Sequence, residues 1–187
     1  MDFKTHLETA WKQTIGNIIP LLIMTLVLTV VSVLTLGILA PVTGAGFIQS
    51  LIRMVRDGRE PTGQDIFSHM NLFLPLFGFT IIVVIAVVIG FLLLFLPGLL
   101  IILALAYFCI YMIPLMTDKQ LGLMDAIKES KDKALGTPVM DHVLIVIIYL
   151  GIQAVGSSIF IGFLFTLPLA TAFLASVYCE KYGDTGS

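Results

Sequence analysis

Of 187 residues, 12% are charged and 58% hydrophobic, with a mean hydropathy of +1.06, whereas a soluble domain of this length is about a quarter charged and about half apolar. That balance excludes an ordinary soluble domain and points to a membrane protein, and a net charge of −2 is too small to argue for nucleic acid or an acidic partner. Cys109 and Cys179 show no metal or redox spacing, so they read as small buried hydrophobes and imply neither a disulfide nor a cofactor.

The chain opens with Asp2-Phe-Lys-Thr-His-Leu7, from which Phe3, Leu7 and Trp11 recur at i, i+4 and i+8 with Ile15 continuing the stripe, while Lys4, Glu8 and Lys12 take the adjacent face. This is the pattern of a helix lying in the headgroup plane, with Trp11 suited to an aromatic belt. Three charge-free stretches follow, Gln13 to Ile52, Ile66 to Thr117 and His142 to Cys179. Each is long enough for two helical spans of about 20 residues. The expected spans are about 17–36, 38–56, 73–94, 97–117, 141–157 and 162–181. Pro41, Gly44 and Gly46 leave a re-entrant segment as the alternative for the second.

Between the first and second stretches sits Arg53-Met-Val-Arg-Asp-Gly-Arg-Glu60, and Thr62 with Asp65 then has the spacing of a capping box ahead of Ile66, Phe67 and Met70. A third amphipathic segment, from Leu123 to Leu135, carries Leu123, Met124, Ile127 and Leu135 and the i, i+4 pairs Lys128/Asp132 and Glu129/Lys133. The three segments beginning at Asp2, Asp65 and Asp125 suggest one membrane domain of three repeats, about 1–60, 61–121 and 122–183. Each repeat is an interfacial amphipathic helix followed by a helical hairpin. The expected fold is therefore an all-α polytopic membrane protein of about six transmembrane helices. All ten Lys and Arg fall at the outer ends of the apolar stretches, while the turns near Thr35 to Thr43, Phe95 to Gly98 and Gly156 to Gly162 hold none. The positive-inside rule then places both termini and the arginine turn in the cytoplasm, across a cell inner membrane.

Arg56-Asp-Gly-Arg-Glu-Pro-Thr-Gly-Gln-Asp-Ile-Phe67, Leu96-Pro-Gly98 and Ala126-Ile-Lys-Glu-Ser130 together resemble a broad group of prokaryotic six-span membrane proteins of unknown function. Some of these are similar to the membrane domain attached to glycerophosphodiester phosphodiesterases. The resemblance implies a fold and a membrane; it does not imply phosphodiesterase chemistry, since neither an appended catalytic domain nor clustered His and Glu ligands accompany it.

Between the interfaces the polar groups read as membrane-embedded are Ser, Thr and Tyr residues and Gln153, none ionised at neutral pH. Intramembrane ionised groups mark proton relays, so a proton-coupled transporter is disfavoured. Gln153, flanked by Gly151, Ala154, Gly156 and Ser157, suits close helix packing. His6 and His69 hold matching places in two repeats and would converge on a metal or anion site only around a pseudo-threefold axis. Asp141 and His142 open the fifth span and read as a cap. An intramembrane lipid enzyme would have to use Ser157 or Ser158 with His142, two or more helical turns away, and no nucleotide-binding, zinc-protease or serine-hydrolase motif is present. The expected function is a non-enzymatic membrane protein acting through membrane lipids, another membrane protein or a homo-oligomer. Its candidate contact residues are Arg53, Arg56, Arg59 and Trp11. The alternative is a transporter or channel for a small apolar or amphipathic solute, with Gln153, Tyr107, Tyr111 and Ser157 along the path. No cofactor or metal is expected.

Overall fold

The computed structural model describes residues 2–93, 95–157 and 162–183. The Gly156 to Gly162 turn, Ser158 and the Asp184 to Ser187 end, all considered above, lie wholly or partly outside the described residues. Among these the regular structure is all helical, with no strand. Helix α1 (Phe3–Gly16) is capped by Asp2, whose carboxylate accepts the Lys4 and Thr5 amides at 3.1 and 3.3 Å and the Thr5 hydroxyl at 2.7 Å. The Thr5 hydroxyl and amide, followed by the Lys4 amide, hold that carboxyl below its ordinary pKa. At Asn17 the chain turns by 86° into α2 (Ile18–Leu34).

Helix α3 (Ala40–Asp57) runs unbroken from Pro41 in its first turn to a left-handed Gly58 that closes it. Proline there costs the helix nothing, because the first-turn amides have no intrahelical acceptor. The second amphipathic segment forms two 3-10 turns, Gly63–Phe67 and Met70–Leu72, where the repeat pattern predicts an interfacial amphipathic helix. The Thr62/Asp65 capping box is present, but the Asp65 carboxylate also accepts from Ser50 and Arg59, each at 2.9 Å. The Ser50 bond, together with the backbone of Asp65 and Ile66 lying against Gly46, holds the segment tightly to α3. A Cβ on Gly46 would collide with the Ile66 carbonyl.

Helices α4 (Phe73–Leu93) and α5 (Phe95–Phe108) pack along each other, with Gly90 lying close against Gly98. A short α6 (Met112–Asp118) continues α5 after a break, and α7 (Leu123–Gly136) leads into α8 (Val139–Ser157) and α9 (Gly162–Tyr182). Four stretches are long and apolar enough to cross a membrane: Gly63–Leu93, Phe95–Asp118, Val139–Gly156 and Gly162–Tyr182; the bent α1–α2 pair makes a fifth if it counts as one span. The predicted 38–56 span, α3, does not meet that criterion. It carries Thr43, Gln49 and Ser50 among its buried residues and ends in Arg53 and Arg56.

The core gathers around α3 and α9, which pack on each other; α1, α2 and α8 lie against α9, and α6 against α3. Leu21, Leu51, Leu115, Phe173 and Tyr178 are among its fully or nearly fully buried side chains. In α1 the buried stripe is His6, Ala10 and Thr14, while Leu7, Trp11 and Ile15 remain exposed. Helix α7 repeats the arrangement, burying Ala126, Ser130 and Ala134 and exposing Met124 and Leu135. In both helices small side chains permit close approach to the protein, and much of the apolar stripe expected from spacing faces outward.

Candidate functional site

The site begins with a fault in a helix. At Cys109 to Tyr111 the α5 ladder stops, and the Met112 amide turns back to the Cys109 carbonyl at 3.0 Å. The carbonyls of Tyr107 and Phe108 thereby lose their helical donors. Each receives a donor from a distant side chain: His142 Nε2–H donates to Tyr107 O at 2.7 Å, and the Ser130 hydroxyl donates to Phe108 O at 2.7 Å. Ser130 also accepts the Tyr111 amide at 3.3 Å. Broken helices survive at membrane depth only where the freed backbone groups are met inside the protein, and α7 and α8 supply that here. The break leaves Tyr111 fully buried.

Tyr111 lies 5.9 Å, ring to ring, from Tyr182 and 5.8 Å from His142; Tyr182 stacks on Tyr178 at 4.7 Å. Three ammonium groups approach this aromatic floor. Lys119 and Lys133 lie 4.6 and 5.0 Å from the Tyr182 centroid, and Lys181 lies 5.1 Å from that of Tyr111. All are within cation–π range. Lys119 pairs with Glu129 at 3.2 Å, and Lys181 donates to Thr137 Oγ1 at 3.1 Å. Glu129 thus bridges to α6, and the i, i+4 pair with Lys133 expected from spacing is not among the ion pairs of the described residues.

Beside the lysines sits a second polar knot. Arg56 holds Asp118 with two parallel bonds of 2.7 and 2.6 Å, while Gln49 and Tyr178 donate to the same carboxylate at 3.4 and 3.0 Å. One carboxylate therefore joins α3, α6 and α9. Planar two-point contact is the geometry for which guanidinium is suited.

The residues singled out from sequence distribute as follows. Arg56 and Arg59 are committed to Asp118 and Asp65; Arg53 has no ion pair among the described residues. Trp11 is 53% exposed, meets Phe165 edge-on at 5.8 Å, and borders a surface groove of about 350 Å³ with Leu7, Lys12, Ile152 and Leu169. Tyr107 and Tyr111 come together at the helix break around His142. Gln153 is elsewhere, bonded to Tyr149 one turn earlier on α8. The side chain of Ser157 lies outside the described residues, but 15 positions of helix, about 22 Å, separate it from His142, too far for a nucleophile and its base. His6 is buried on α9, with Nδ1 2.8 Å from Ser176 Oγ and Nε2 2.6 Å from Glu180; His69 instead meets Ser68 at 2.7 Å. Among the described residues no three His, Cys, Asp or Glu side chains are grouped to hold a metal.

An apolar cavity of about 180 Å³ lies between α3, α5, α8 and α9, lined by Ile48, Cys109, Val146 and Leu174 among others. Pockets for small-molecule ligands are commonly about 300 Å³ or more, so this one is the size of a packing void. The lysine–tyrosine cluster was invisible to sequence reasoning. Its lysines read singly as topological charge, and its only local trace is the Lys181-Tyr182 pair. No protein-family model, curated protein or solved structure matches the chain.

Proposed function

We propose that this is a non-enzymatic, six-span integral membrane protein that works through contacts with lipid or with another membrane protein. The observation that carries the reading is a division of the surface. Exposed apolar side chains cover α2, α4, α5 and α8, whereas the ion pairs lie around the chain ends and the connecting segments near Arg59, Lys119 and Glu180. In this reading α3 is the remaining span: its 18 residues reach about 27 Å, close to the hydrocarbon thickness. Its polar side chains are buried by protein, so lipid need not solvate them. The outward apolar stripes of α1 and α7 fit helices resting at the interface, and the arrangement as three repeats, each with its helical hairpin, belongs to the same proposal. The proposed kinship is with the six-span prokaryotic proteins named above, in an inner membrane with both termini cytoplasmic.

Native mass spectrometry of protein extracted gently from its own membrane tests the reading. A retained phospholipid or a defined protein partner is the expected result. Bare protein that instead moves a small solute across proteoliposomes would overturn it in favour of a transporter.

A further inference from the structure

Three cations brought by three different elements onto two adjoining rings are an arrangement that needs an explanation, because like charges repel and packing alone does not require them. Lys119 leaves the end of α6, Lys133 comes from α7 and Lys181 from α9. Only Lys119 has an ion pair among the described residues. The charges that Lys181 feels are Lys133, Asp141 and Glu180, and Glu180 is already 2.6 Å from His6. Lys133 and Lys181 thus share a patch with no carboxylate of their own within ion-pair distance.

The same patch holds unmet hydrogen-bonding capacity. Tyr111, whose ring carries Lys181, is fully buried with a hydroxyl that no described residue pairs. His142 spends its Nε2–H on Tyr107, which leaves Nδ1 as a bare acceptor, also without a partner among the described residues. Around the Thr137 that receives Lys181, the side chains turned outward are apolar: Leu135, Val139 and Met140 are 60%, 66% and 71% exposed. A cationic patch beside exposed apolar residues matches an amphiphile better than a free ion.

We infer that Lys119, Lys133 and Lys181, floored by Tyr111 and Tyr182, bind the phosphate headgroup of an anionic phospholipid, an assignment that rests on the lipid-contact reading above. Lysine ammoniums serve as compact point charges with three donors each, suited to phosphate oxygens. The rings hold the long side chains in place before the lipid arrives, which lowers the ordering cost of binding. Leu135, Val139 and Met140 would lie along the acyl chains. Arg56 and Arg59 take no part, since Asp118 and Asp65 occupy them.

The test is native mass spectrometry of the full chain in detergent, titrated with dioleoylphosphatidic acid or dioleoylphosphatidylcholine. Wild type should retain the first and not the second. Lys133→Gln with Lys181→Gln should weaken retention about 25-fold, at roughly a factor of five per basic residue. Lys128→Gln with Lys131→Gln, the same change of charge on exposed positions of α7, should weaken it less than about twofold. Should the site double variant lower the melting temperature, Lys133→Gln alone carries the test with about a fivefold loss. Equal losses in the site and control variants, or equal retention of the two lipids, would overturn the assignment. Displacement of phosphatidic acid by millimolar inorganic phosphate would overturn the lipid in favour of a soluble anion. Unchanged lipid retention in the site variant sinks this inference while leaving the proposed function standing; that reading fails only on solute flux without retained lipid or partner.

Discussion

Helix α4 is the most apolar element of the chain and among the least buried, whereas α3 is too polar to count among the candidate spans and is packed on most of its surface. In α4 only Leu76 and Gly90 are buried, while Ile82, Val84, Ile85 and Leu92 stand outward. Of the most apolar window in Gly63–Leu93, 11% is buried, against 56% in Gly162–Tyr182, which holds the central α9. A water-soluble protein would reverse this ordering, placing its most hydrophobic helix in the core. In the proposed membrane setting, hydropathy marks the surface turned to lipid and polarity the surface turned to protein, because interior helices associate through close packing and hydrogen bonds when lipid is as apolar as leucine.

Truncation on the two sides of that contrast should separate cleanly. Leu51→Ala on α3, at a fully buried position, should cost about 3 kcal/mol by leaving a cavity. Reversible unfolding in mixed micelles measures it, and a cost under about 1 kcal/mol would show α3 to be loosely packed. Next comes Asp118→Ala, which strips Arg56, Gln49 and Tyr178 of their common acceptor. Because Arg56 is 35% exposed, the expected loss is about 2 kcal/mol, below that of a fully buried pair. A double-mutant cycle with Arg56→Gln should recover about 1 kcal/mol of coupling. Smallest is Ile85→Ala on α4, at 54% exposure, which should change stability by less than about 0.5 kcal/mol in the same micelles. A loss near that of Leu51→Ala would mean that another protein surface, not lipid, covers α4.

Hydropathy made much of the frame legible. The expected 17–36, 73–94, 141–157 and 162–181 agree to within about two residues with α2, α4, α8 and α9, the ordinary uncertainty of helix ends. Periodicity also placed amphipathic helices at α1 and α7, and spacing found the Thr62/Asp65 box. Spacing could not say which face turns inward, since an apolar stripe looks the same whether protein or lipid receives it. The α5 break was missed although Pro114, which has no amide for the Ile110 carbonyl, marks it locally; the donors that meet the freed carbonyls, Ser130 and His142, come from elsewhere in the chain. The lysine cluster was hidden because its members lie far apart in sequence and meet only where α6, α7 and α9 converge.

That break also carries a schedule. Ser130 follows Phe108 by 22 residues and His142 follows Tyr107 by 35, so both donors are synthesised after the carbonyls they serve. At about 5–20 residues per second, the wait is on the order of one to seven seconds. During it, the amides of Tyr111 and Met112 can serve the Tyr107 and Phe108 carbonyls as in an ordinary helical turn, so neither carbonyl is left open. The break is therefore a late feature: the bent form of Phe95–Asp118 can be made only once Ser130 on α7 and His142 on α8 exist to take over the two carbonyls.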